Sequence, residues 1–163
     1  MARLSSEVAI SIPFTETDIG GTNSAGSDDT VHWVSMAGYD AILVYVELGT
    51  WDSSDDLDTC KLEQATSTAG AGKKDLTTSA SGGNYDSDYP IDADGNFVIL
   101  EADAEDFDVD GGFDCVRVYL AEGGNTGTDN VSAVYIRHKA RYAAEELSGA
   151  ASSGAQVYVS CDT

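Results

Sequence analysis

The chain has 163 residues, a 42% hydrophobic fraction, and 29 acids against eight Lys and Arg, for a formal charge of -21. That apolar content argues against disorder, and the length suits one domain with its own core. The charge repels phosphate backbones and anionic bilayers, so neither nucleic acid nor membrane is expected as a partner.

No window approaches the ~18 consecutive apolar residues of a membrane span. The Met1 end lacks the basic-then-apolar pattern of a signal peptide, which predicts a chain made in the cytoplasm. Two roles fit the acid equally: keeping the protein soluble, or suiting it to high salt, where self-repulsion is screened.

Residues 4–14 alternate Val8, Ile10 and Ile12 against Ala9 and Ser11, which predicts a strand or extended arm ended by Pro13. Asp18 to Thr30, rich in Gly, Asn, Ser and Asp, reads as a loop. A short strand is expected over Val31–Met36, then a turn at Ala37-Gly38. The strand from Tyr39 to Leu48 is the longest apolar run. Ile42, Val44, Val46 and Leu48 form one face; Tyr39, Ala41, Leu43 and Tyr45 lie on the other. A strand apolar on both faces is usually buried on both. One face suits a second sheet of the same chain, and the other asks for a loop or another subunit.

An acidic loop over Gly49–Asp56 leads to a half-buried strand, Leu57–Gln64, and a weak one near Lys74–Ser79. Residues 79–90 are low in apolar residues and read as a loop. Asp94-Gly95 is a hairpin signal before Asn96–Ala102, where Phe97 and Ile99 alternate against Val98 and Leu100. Asp110-Gly111-Gly112 turns into Phe113–Ala121, with Val116, Val118 and Leu120 as the core face. Val131–His138 is a further strand. Lys139–Leu147 reads as a short helix or the tail of that strand, and Gln156–Ser160 as a last strand.

Short strands joined by turns predict an all-β chain, an antiparallel β-sandwich or jelly roll of about eight or nine strands. Its expected organisation is an N-terminal strand or arm over 1–16, a sandwich over 17–147, and a C-terminal tail with a final strand over 148–163.

Cys60, Cys115 and Cys161 are not spaced as a metal or redox motif, and read as free thiols. Asp106, Asp108 and Asp110, followed by Gly111, match the start of an EF-hand loop. The twelfth position, however, is Arg117 rather than a bidentate Glu, and helices are missing. These three, with Asp92 and Asp94, stay weak calcium candidates; the alternative is a solvated turn. No metal or other cofactor is called for. His32 and His138 have no nucleophile beside them, and no catalytic motif is present, so the chain does not read as an enzyme. Arg137, His138, Lys139 and Arg141, with Arg117, gather much of the scarce positive charge. They either neutralise the protein's own acids or anchor an acidic partner.

In order and spacing, several stretches resemble one family. They run from Val-Ser-Met-Ala-Gly-Tyr-Asp at 34–40, through Leu-Glu-Gln-Ala-Thr at 62–66 and Gly-Ala-Gly-Lys at 70–73, to Glu-Ala-Asp-Ala-Glu-Asp-Phe-Asp at 101–108. Gly-Phe-Asp-Cys-Val-Arg at 112–117 and Ala-Arg-Tyr at 140–142 follow. Together they resemble the capsid decoration, or cement, proteins of tailed double-stranded DNA bacteriophages. The acid content and the 79–90 loop depart from that pattern, and 145–163 has no counterpart in it.

The resemblance implies a β-rich virion structural protein on the outer capsid surface, often a homotrimer, that clamps neighbouring major capsid protein subunits. The expected capsid contacts are Leu4, Val8, Ile10 and Ile12, with Arg137 and Arg141 meeting acidic groups; Leu43 and Tyr45 are expected at the subunit interface. Two other readings compete. One is a carbohydrate- or receptor-binding jelly roll with Trp33, Trp51 and Tyr85 as stacking platforms. The other is a tail or head-completion component.

Overall fold

The computed structural model describes residues 8–20, 24–25, 32–52, 57–76, 93–122 and 127–140. Their strands are β1 (Ala9–Asp18), β2 (Ser24–Ala25), β3 (Val34–Ser35), β4 (Tyr39–Leu48), β5 (Thr59–Ala65), β6 (Lys74–Asp75), β7 (Phe97–Asp103), β8 (Cys115–Ala121) and β9 (Asn130–Ala140). A 3-10 turn, Ala104–Asp106, follows β7. All strand pairs are antiparallel. One sheet has the order β1-β9-β4-β7; the other runs β2-β8-β5-β6, with β3 also on β8.

The two sheets pack face to face, because each offers a row of alternate apolar residues. From the first come Ile42, Val44, Val46 and Leu48 of β4, Val131, Ala133 and Tyr135 of β9, and Leu100 and Ala102 of β7. From the second come Cys60 and Leu62 of β5 with Val116, Val118 and Leu120 of β8. The core faces read from β4 and β8 are those observed. Cys60 and Cys115 are buried and free, and burial pushes both thiols up to about 12. Cys161 lies outside the described residues.

Tyr135 ties the sheets together. On the outer side of β8, β2 pairs at Leu120 and Ala121, and β3 pairs at Val116 and Cys115. Val118 falls in the gap, and its N–H donates to Tyr135 Oη at 2.8 Å. A phenol from one sheet thus completes the hydrogen bonding of the other.

Of the two readings of the N-terminal segment, strand or extended arm, the structure shows the strand: from Ala9 it is the edge strand β1, pairing Ala9 with Arg137 and Ile10 with Ile136. Its register shifts twice, between Ser11 and Phe14 and between Phe14 and Thr17, the first shift spanning Pro13. Phe14 consequently enters the core, while Ile10 and Ile12 face out. Asp94-Gly95 makes a turn, with Gly95 at φ 76°, but β7 pairs with β4 rather than with a preceding hairpin arm. The chain after His138 continues as strand to Ala140, although Lys139 adopts φ 56°. The expected strand Gln156–Ser160, the 79–90 loop and Leu4 lie outside the described residues.

Candidate functional site: an apolar sheet face

Residues directly opposite in a sheet share a face, so the register defines the outer surface of the β1-β9-β4-β7 sheet row by row. One row runs Ile10, Ile136, Leu43, Glu101. The next runs Val134, Tyr45, Ile99, with Ile12 two residues beyond Ile10 on β1. A third holds Ser132, Glu47 and Phe97. Ile10, Ile12, Phe97 and Ile99 are 44%, 62%, 56% and 50% exposed, and Leu43, Tyr45, Val134 and Ile136 are half-buried. The Tyr45 and Phe97 rings stack with centroids 5.4 Å apart. An apolar band therefore crosses all four strands, with Glu47 at one end of it and Glu101 and Asp103 at the other.

The outer face of the other sheet is built differently. There Glu63 lies opposite Arg117 and Lys61 opposite Tyr119. Arg117 Nε and Nη2 reach Glu63 Oε2 at 2.8 and 2.7 Å, and the Trp33 ring covers the guanidinium at 4.7 Å. Lys61 bridges Glu63 and Asp75. Charges on this face are matched inside the chain, whereas the band leaves large apolar side chains exposed. That contrast makes the band the candidate site.

The sequence-predicted residues divide accordingly. Ile10, Ile12, Leu43 and Tyr45 come together on the band, although the first pair was expected at the capsid and the second at a subunit interface. Val8 is half-buried just before β1. Arg137 points the other way. It belongs to the inward-facing residues of β9, its Nη1 donates to the Ser35 carbonyl of β3 at 2.6 Å, and it stacks over Tyr39 at 5.0 Å. Burial draws its pKa below the ordinary guanidinium value. Arg137 is thus a strut between sheets. Lys139 pairs with Asp103 at 2.9 Å, and that contact raises its pKa. Arg141 lies outside the described residues.

The aspartate turn is occupied by its own chain. Asp106 accepts the Asp103 N–H at 2.9 Å. Asp108 takes Lys74 Nζ on one oxygen and the Gly111 N–H, at 2.9 Å, on the other. A Cβ at position 111 would sit 2.7 Å from that carboxylate, so glycine permits the close approach. Among the described residues no group of three or more His, Cys, Asp or Glu is placed to hold a metal ion. Asp94 accepts the Trp51 N–H at 2.7 Å, and Asp92 lies outside the described residues.

The Lys74 contact, then the Gly111 N–H, holds the Asp108 carboxyl below its ordinary value. A carboxyl depressed by folding adds stability above its unfolded value, near 3.9, and loses it as pH falls through the folded value. A carboxyl-carbon NMR titration should therefore give Asp108 a midpoint below about 3.9, and Lys74→Ala should raise it. An unchanged midpoint in the variant would show that the ion pair does not form in solution.

Trp33 and Trp51 are 7% and 6% exposed, so neither offers a stacking platform; Tyr85 lies outside the described residues. His32 packs on Phe14 at 4.3 Å, and His138 is half-buried beside Ala41 on β4. No helix among the described residues is long and apolar enough to cross a membrane. No family model matches the chain, and neither a curated protein nor a solved structure matches it.

Proposed function

We propose that the chain is a capsid decoration protein of a tailed double-stranded DNA phage, made in the host cytoplasm and bound to the outer surface of the head. The observation that carries this reading is the apolar band across β1, β9, β4 and β7 in a chain of charge -21. Exposed Ile and Phe oppose the solubility that such a charge confers, and a contiguous exposed apolar patch is a mark of a docking surface. The acids at the two ends of the band suit a partner whose own apolar patch is bordered by basic residues, because complementary charge sets orientation and speeds encounter.

In this reading the band lies on the major capsid protein. Because Ile10, Ile12, Leu43 and Tyr45 share one surface, a single broad contact covers all of them. Repetition over a lattice then multiplies modest contacts into a large total. Homotrimer formation belongs to the same proposal and is read separately, from the solution mass by light scattering.

The test is co-sedimentation of the purified chain with heads assembled without it. Ile99→Glu and Tyr45→Glu should each weaken binding by roughly tenfold or more, since truncating or charging a central anchor is the costly change at an interface. Tyr119→Glu, on the opposite outer face, should bind as the wild type does. Equal binding by all three would overturn the docking assignment, and no binding by the wild type would overturn the function.

A further inference from the structure

Cations of this chain are seated in one recurrent way. Lys61 lies over the Tyr119 ring at 5.3 Å and pairs with Glu63 and Asp75. Lys74 lies over Phe113 at 4.1 Å and pairs with Asp108. Arg117 lies over Trp33 at 4.7 Å and pairs with Glu63. Each seat joins an aromatic face to a carboxylate, so the ring quadrupole and the negative charge act together on one cation.

The apolar band carries the same two parts. Phe97 lies directly opposite Glu47 across the β4–β7 ladder, where facing Cβ atoms are about 5 Å apart. Tyr45 precedes Glu47 by two residues on β4 and so shares its face. The Tyr45 and Phe97 rings stack with 29° between their planes, and Phe97 and Glu47 are both exposed. The Tyr45 phenol donates to the Glu47 carboxylate. Desolvation first, then the charge and hydrogen bond of that carboxylate, hold the phenol above its ordinary value.

Among the described residues, Glu47 meets no Lys or Arg. The other end of the band differs. There Lys139 pairs with Asp103 at 2.9 Å, and Glu101 adds its charge to the same ammonium.

We infer that Phe97, Tyr45 and Glu47 form the seat for an arginine side chain presented by the protein that covers the band. The inference rests on the docking role proposed above and names the chemistry of one contact within it. Arginine suits the seat better than lysine. Its planar guanidinium lies flat on a ring and still turns an N–H fork toward a carboxylate beside that ring, as Arg117 does between Trp33 and Glu63. An ammonium is a more strongly hydrated point charge and loses more on leaving water. At longer range, a chain of charge -21 draws basic surfaces toward it. Once the band is covered, water leaves the seat and the attraction strengthens.

The test uses the full chain and two probes, acetyl-arginine-amide and its uncharged analogue acetyl-citrulline-amide, followed by side-chain NMR at low salt. The arginine probe should shift the Phe97 and Tyr45 ring signals and the Glu47 carboxyl carbon; the citrulline probe should leave them in place. Phe97→Leu keeps an apolar side chain and Glu47→Gln keeps the shape, yet each should weaken the arginine response roughly fivefold. Equal shifts with both probes overturn the site. So do shifts at Glu47 no larger than those at Glu105, an exposed acid in the 3-10 turn beyond the far end of β7, which would mark general attraction to a charged surface.

Co-sedimentation with heads separates the seat from the wider reading. Phe97→Leu and Glu47→Gln should each bind heads roughly fivefold more weakly than the wild type. If both bind as the wild type does while Ile99→Glu does not, the band is the docking face and the arginine seat is wrong. If the wild type binds no heads, the proposed function falls, and the two probes still decide the seat.

Discussion

Replacing Glu63 with alanine is expected to cost ~3–5 kcal/mol of folding stability, because it removes a carboxylate that faces a buried guanidinium. Arg117 has no exposed surface, and Glu63 is 5% exposed. Two of the three guanidinium nitrogens of Arg117, Nε and Nη2, converge on one carboxylate oxygen, and Trp33 lies across the guanidinium. Urea unfolding would show the loss as a lower midpoint at unchanged slope. The double variant Glu63→Leu with Arg117→Met should recover most of it, since an apolar pair of similar volume avoids the desolvation that ionised groups carry. A loss below about 1 kcal/mol for Glu63→Ala would place the pair in the weak, water-screened class and remove it from the account of stability.

Tyr135→Phe tests the link between the sheets. It deletes the oxygen that takes the Val118 N–H and leaves that donor buried between β2 and β3, where roughly 1–3 kcal/mol is expected to be lost. A second readout separates this from simple packing. Burial raises the Tyr135 phenol above its ordinary value. A group whose pKa is raised by folding adds stability that is complete below the unfolded value, near 10, and falls away as pH climbs through the folded value. Wild-type stability should therefore decline above about pH 10, and the Phe variant should decline less steeply. Parallel pH profiles would show that the hydroxyl is not buried as described.

Alternation made part of this legible. In β4 and β8 the apolar residues recur with period two and no interruption, so Ile42 to Leu48 and Val116 to Leu120 could be placed on the core face from the sequence. In β1 the same rule points Val8, Ile10 and Ile12 inward. Pairing of Ala9 with Arg137 and of Ile10 with Ile136 instead sets Ala9 inward and Ile10 outward, and the register shift past Ser11 brings Phe14 into the core. Phe97 and Ile99 alternate as cleanly as Val98 and Leu100, and periodicity alone does not say which set faces the opposite sheet. The apolar band is made of such residues, each unremarkable in its own strand and significant only once the register aligns four of them.

Arg117 and Arg137 show a different limit. Charge along the chain groups them with Lys139 and Arg141, but a strand neighbour in sequence points to the opposite face. Arg137 and Lys139 also part company, because the backbone turns to positive φ at Lys139. Arg117 finds Glu63 only through the β5–β8 register, which no local pattern encodes.

The double shift in β1 has a bearing on crowding. In the proposed role the protein would be held at very high local density, where sheets with two receptive margins would join end to end into filaments. In the β1-β9-β4-β7 sheet one margin is irregular and interrupted by proline, which makes it a poor template for another strand. Edge joining through that margin is discouraged, and in the proposed role ordered growth would follow the lattice beneath rather than the fold itself.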